Sequence, residues 1–206
     1  VKNPRLIETL LALSLIAPVA VATDLATSDR AGAAQLAAGT CAACHGSKGT
    51  SETPMFPKLA GQTAAYIKRQ LKDFRSHDRA DPDAVAFMWA IAAALNDEQI
   101  DGLADYFSSQ PVPTASGGGS SLPTRGKTIF ENGLADAKVP ACQSCHGDDG
   151  GGMDDFPRLA GQHREYSVKQ LQAFQHNLRR GATMGKFAGR LTEEDMEAVA
   201  AYIETL

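Results

Sequence analysis

What this 206-residue chain lacks narrows its class before any motif is considered. It has no excess of charge of one sign: 20 basic side chains stand against 24 acidic ones, a formal −4, so the basic footprint of a nucleic-acid binder is missing. At 43% hydrophobic and 21% charged it has neither the low hydrophobicity of a disordered chain nor the bias of a collagen or a coiled coil. The apolar run from Leu10 to Val21 spans 12 residues and is interrupted by Ser14 and Pro18. That is short of the about 20 residues that cross a bilayer as a helix. No convincing alternating pattern suggests strands, and no Ser/His/Asp arrangement supports a hydrolase. Cysteine is confined to four residues, and tryptophan to Trp89.

The N-terminus presents Lys2 and Arg5, the apolar run, and small residues at Ala20 and Ala22. This is the order of a secretory signal peptide. Cleavage is expected after Ala22, with Ala20 as the alternative, which places residues 1–22 outside the mature fold. The mature chain then keeps 18 basic and 23 acidic side chains, a formal −5.

Residues 56–75, FPKLAGQTAAYIKRQLKDFR, return at 156–175 as FPRLAGQHREYSVKQLQAFQ, with ten identities in twenty positions. A CxxCH precedes each copy, and a methionine and a capped amphipathic helix follow it, so the chain is an internal duplication. Domains are expected at 23–112 and 113–206, joined by a Gly/Ser-rich linker at about 111–124, PVPTASGGGSSLPT. Tyr66, Ile67, Gln70, Leu71 and Phe74 share one helical face, as do Tyr166, Gln170, Leu171 and Phe174. Asn96 with Gln99, and Thr192 with Asp195, are start signals for the final helix of each half. Its buried stripe is Ile100, Leu103, Ala104 and Phe107 in one copy and Met196, Val199, Ala200 and Ile203 in the other. The fold class expected is all-α.

All four cysteines fall in CAACH (41–45) and CQSCH (142–146). Two thiols one helical turn apart can each add to a haem vinyl group while the adjacent histidine reaches the iron. The sequence therefore predicts two covalently bound haem c groups, attached at Cys41, Cys44, Cys142 and Cys145, with His45 and His146 as axial ligands. A CxxC disulfide, a thioredoxin-like redox pair and a shared zinc site are the rival readings; the helical, duplicated context disfavours them. Met88 and Met184 each stand seven residues before a leucine, Leu95 or Leu191, that precedes the capped helix, and they are the expected distal ligands. Met55 and Met153 lie within ten residues of the histidines, and Met196 falls on an apolar stripe. His77, His163 and His176 lack counterparts at equivalent places and are expected at the surface. Pro57 and Pro157 either begin a helix or mark a backbone carbonyl that takes the histidine's other ring proton. Arg79 and Arg179 recur at an offset of one hundred; solvated loop arginines are expected, with a haem propionate as the alternative partner. Trp89 is expected in the first haem pocket or at the domain interface.

These motifs, the two CxxCH, FPKLAGQ with its following Y…QL..F helix, and a methionine before each final helix, resemble the dihaem cytochrome c4 family over essentially the whole mature chain. The resemblance implies two tandem cytochrome c-like haem domains packed together, His/Met ligation of both irons, and a periplasmic electron carrier serving a respiratory chain. It implies no enzymatic activity of its own. A terminal oxidase is the expected acceptor and a quinol-oxidising complex a further expected partner; peripheral membrane association is compatible with this role. The alternatives are the cytochrome subunit of a periplasmic dehydrogenase of flavocytochrome type, or a dihaem enzyme such as a thiosulfate dehydrogenase or peroxidase. Two features depart from the family pattern. Four more residues separate Arg79 from Met88 than separate Arg179 from Met184, and the linker is rich in glycine and serine.

Overall fold

The computed structural model describes residues 32–113 and 124–206. The expected signal segment at 1–22 and the glycine-rich centre of the expected linker lie outside the described residues.

Among the described residues the fold is helical, with isolated bridges in place of sheet. In the first half α1 (32–36) runs through a wide turn, Ala37–Cys41, into α2 (Ala42–His45). The helix α3 (Ala64–Arg75) follows; a second wide turn, Ala84–Met88, leads into α4 (Trp89–Ala93), and α5 (Asp97–Ser108) closes the half. The second half repeats the order with α6 (Thr124–Asn132), α7 (Gln143–His146), α8 (Arg164–Gln175), α9 (Ala182–Ala188) and α10 (Glu193–Glu204). The four additional residues of the first half lie within the helical stretch from residue 82 to Met88, which contains the wide turn Ala84–Met88, against residue 182 to Met184 in the second.

The helix starts follow from local chemistry. Asn96 with Gln99 and Thr192 with Asp195 form complete capping boxes, each satisfying first-turn amides in both directions. Ile100, Leu103, Ala104 and Phe107 on α5, and Met196, Val199, Ala200 and Ile203 on α10, are buried as the periodicity requires. Each large apolar side chain removed from water contributes about 1.5–3 kcal/mol. In the first half α5 packs on α3 around Ile67, Ile100, Leu103 and Phe107; in the second, α10 packs on α6 and α8 around Ile129, Phe130, Val199 and Ile203. Gly126 permits the α6–α10 approach, because a side-chain carbon there would overlap the carbonyl of Ala198.

The halves dock through reciprocal polar contacts. Arg79 and Arg179 pair as an antiparallel bridge, and Ala80 donates its N–H to the Leu178 carbonyl at 2.7 Å. Gln62 and Gln162, at the end of the repeated LAGQ, each reach the opposite half's backbone. The preceding glycines, Gly61 and Gly161, hold φ of 65° and 72°, a left-handed conformation that favours glycine and turns the chain into the contact.

Candidate functional site

Each CxxCH is wound on one short helical turn. Cys41 ends the first wide turn and Cys44 and His45 follow on α2; Cys142 caps α7, which carries Cys145 and His146. The turns stop at Gly46 and Gly147, with φ of 75° and 87°. All four cysteines are unpaired. Burial raises the thiol pKa of Cys41, with Cys44 adding to it, and pushes that of Cys142 up to about 11. Protonated thiols of this kind are poor redox nucleophiles, which argues against the thioredoxin-like alternative. Nor do the described residues gather three or more His, Cys, Asp or Glu side chains into a metal-binding group, as a shared zinc site would need.

The two histidines are held alike. The Nδ1 of His45 lies 2.9 Å from the Pro57 carbonyl, and that of His146 lies 3.0 Å from the Pro157 carbonyl. A carbonyl only accepts, so Nδ1 carries the hydrogen. Burial lowers both imidazole pKa values, opposed by the carbonyl bond. Burial thus favours the neutral ring, which is the form that ligates metal, and in that form the proline carbonyl fixes the tautomer and leaves the Nε2 lone pair free. The proline segments are themselves anchored: Gly49 O accepts from Leu59 and Ala60, and Gly150 O from Leu159 and Ala160, at 2.8 and 3.0 Å in each half.

Cys41, Cys44, His45, Met88, Cys142, Cys145, His146 and Met184 all line one continuous cavity of about 730 Å³. Its walls are mainly apolar, with Ile67, Phe74, Leu95 and Leu103 in the first half and Leu171, Phe174, Leu191 and Ile203 in the second. The donor set fits a haem in each half: two thiols on one turn, a neutral imidazole with a pinned tautomer, a soft thioether and an apolar slot. Of the other methionines, Met196 is fully buried in the core beside Val139 and Leu191. Met153 is 62% exposed and lies off the cavity wall, whereas Met55, 44% exposed, lies at its edge.

Three expectations are corrected. Arg79 and Arg179 are not solvated loop residues: they are only 4% and 6% exposed. Arg79 donates to Asp81 at 2.8 Å, to the Gln70 Oε1 at 2.9 Å, and across the interface to the Gln170 Oε1 at 2.7 Å and the Tyr166 hydroxyl at 3.2 Å. Arg179 mirrors this with Gln170, Gln70 and Tyr66. Burial works against the Arg79 charge, but Tyr166, Asp81 and Tyr66 outweigh it and hold its pKa above the ordinary value. His163 is buried rather than at the surface, with Nε2 2.8 Å from the Ser51 carbonyl of the other half. Trp89, like Met88, packs against Phe74, Ala84 and Ala92, but it is not among the cavity-lining residues. Its ring stacks on His77 at 3.9 Å and its N–H donates to the Arg79 carbonyl. The parts played by Gln62, Tyr66, Gln70 and their counterparts were missed, although six of the ten repeat identities are these three polar positions plus the leucine, alanine and glycine that lead into Gln62 and Gln162.

A family model described as cytochrome c matches residues 30–111 and again 123–206. The chain is 35% identical over 210 residues to a cytochrome c4 of Pseudomonas aeruginosa, covering 99% of each chain. It is 36% identical over 178 residues to a thiosulfate dehydrogenase electron acceptor of Stutzerimonas stutzeri, covering 83% of this chain and 81% of that one. The solved cytochrome c4 of Acidithiobacillus ferrooxidans superimposes with a TM-score of 0.76 at 41% identity, over 81% of this chain and 98% of the other.

Proposed function

Because the chain belongs to the cytochrome c family, and within it to the dihaem cytochrome c4 proteins, it is an electron carrier with two covalent haem c groups, and we propose which residues hold them. Cys41 and Cys44 would hold the first haem through thioethers, with His45 and Met88 as its iron ligands; Cys142 and Cys145 would hold the second, with His146 and Met184. The observation that carries this assignment is the matched pair of pinned imidazoles. In each half the histidine beside the cysteines donates Nδ1–H to a proline carbonyl and faces the same cavity as a repeat-equivalent methionine. The bound haem supplies the one-electron couple.

The chain's own residues bind and tune. The proline carbonyls orient the imidazoles and raise their basicity, the methionine sulfurs favour the reduced iron, and the apolar walls exclude water. We further propose export to the periplasm and transient encounters, with a quinol-oxidising complex as donor and a terminal oxidase as acceptor. No helix among the described residues is long and apolar enough to cross a membrane. The formal −5 expected for the mature chain suits steering toward a basic patch at low salt. The similarity to the Stutzerimonas protein named as a thiosulfate dehydrogenase electron acceptor favours a second reading, in which the donor is a periplasmic dehydrogenase.

Denaturing mass spectrometry of the exported protein is expected to give the apoprotein mass plus two haems. Replacing Met88 or Met184 by Ala is expected to remove about half of the ferric far-red methionine–iron band, since one of two sites is lost. Full intensity in either variant overturns that ligand. Gel filtration of the periplasmic fraction separates the partner readings: a salt-resistant stoichiometric complex with a dehydrogenase supports the second.

A further inference from the structure

The bond that fixes each axial histidine is wired to the opposite half of the molecule. The Pro57 carbonyl that accepts from His45 belongs to the same peptide group as the Lys58 N–H, and that N–H donates to the Gln162 Oε1 at 2.9 Å. The Gln162 amide returns a bond to the Lys58 carbonyl at 3.0 Å. The mirror relay holds for His146: the Arg158 N–H donates to the Gln62 Oε1 at 2.7 Å, and the Gln62 amide donates to the Arg158 carbonyl at 2.9 Å. Both glutamines are buried, 6% and 8% exposed. Each is fixed by a further bond to its Oε1 from its own next residue, Thr63 or His163, at 3.0 and 3.1 Å.

Resting on the axial assignment of His45 and His146 above, we propose that Gln162 is a positioning residue for His45 and Gln62 a positioning residue for His146, each setting the electron richness of the axial imidazole in the other domain. The physical link is polarisation along a hydrogen-bond chain. A peptide whose N–H is donated to an amide oxygen is a stronger acceptor at its carbonyl. A stronger acceptor draws the Nδ1–H further, makes Nε2 a better donor to the iron and favours the oxidised state. Lys58 and Arg158 are the only residues whose backbone is gripped in this two-pointed way from across the interface among the described residues. Docking of the halves and the redox balance of each site are thereby connected through the backbone peptides of Lys58 and Arg158.

The test uses the haem-loaded full chain, ¹⁵N-labelled at histidine, in the reduced state. Upfield ring-current displacement of the His45 and His146 ring carbons' protons in the parent protein checks the axial assignment by itself; its absence removes that assignment whatever the variants do. Gln162→Leu is expected to move the Nδ1–H resonance of His45 upfield and to raise the midpoint potential at the first site, leaving the His146 resonance in place. Gln62→Leu is expected to do the reverse. Gln162→Glu keeps an acceptor for the Lys58 N–H and is expected to restore the His45 resonance although the bond to the Lys58 carbonyl is lost. A shift confined to the histidine of the glutamine's own domain, an equal shift of both histidines, or no shift in either overturns the proposal and reduces the glutamines to interface adhesion.

Discussion

Asp81→Ala tests how much of the docked arrangement depends on the buried arginine pair. Arg79 and Asp81 meet at 2.8 Å with side chains 5% and 6% exposed, and Arg179 has Gly181 where Arg79 has Asp81, so the cluster holds two guanidinium groups and one bonded carboxylate. Unit charges about 4 Å apart attract by roughly 4 kcal/mol at an effective dielectric of about 20. Removing one partner of a buried pair generally costs about 3–5 kcal/mol, because the other charge stays desolvated. Arg79 retains Gln70, Gln170 and Tyr166 as acceptors and lies 4.6 Å over the Phe74 ring, which places the cost at the lower end, about 3 kcal/mol. Asp81→Asn keeps an acceptor for Nε without the charge and is expected to cost about half as much, in the range of a hydrogen bond to a charged group. If the two docked halves melt together, about 3 kcal/mol lowers the melting temperature by about 6–12 °C. Denaturant titration of the haem-loaded protein, followed by circular dichroism and the far-red band, measures both variants. Alanine and asparagine variants both within about 0.5 kcal/mol of the parent would refute the reasoning, since that is the range of a surface substitution.

Three further outcomes follow from the same structure. Gly126→Ala is expected to destabilise the second half by about 1–3 kcal/mol in thermal melts, although alanine is the better helix former, because the new methyl meets the Ala198 carbonyl; a stabilised variant contradicts the close α6–α10 crossing. Burial pushes the Asp195 carboxyl up, but Thr192 and Arg125 outweigh it and hold its pKa below the usual range, so its contribution is complete above the unfolded value of about 3.9 and is lost as pH falls through the lower folded value. Asp195→Asn should therefore flatten the acid limb of the melting-temperature profile and cost about 1 kcal/mol at neutral pH through the cap; an unchanged acid limb rejects this. His163 has its pKa lowered by burial and by Lys58, so the unfolded chain takes up the proton first: stability is complete above about pH 6.5 and declines as the pH falls below it. His163→Gln keeps a donor for the Ser51 carbonyl and is expected to make that decline shallower between pH 7 and 5; an identical slope counts against the assignment.

Where a property is set within one or two helical turns, the sequence by itself determined it. The CxxCH spacing dictates two thiols and an imidazole on one turn, the 3.6-residue stripe of α5 and α10 dictates which faces are buried, and Asn96–Gln99 and Thr192–Asp195 dictate where those helices begin. The repeat likewise singled out Met88 and Met184, and both line the cavity with the cysteines. Only the tertiary structure decided that Pro57 and Pro157 present carbonyls to the histidines, since that contact joins residues 12 and 11 positions apart through a loop held by Gly49 and Gly150. It also decided that Arg79, Arg179 and His163 are buried. Polar side chains carry no periodic signature of burial, and charged residues are ordinarily exposed unless partners offset their desolvation. Here those partners, Gln70, Tyr66, Gln170, Tyr166 and the Ser51 carbonyl, lie largely in the opposite half of the chain, about a hundred residues away, and they become neighbours only when the two halves dock.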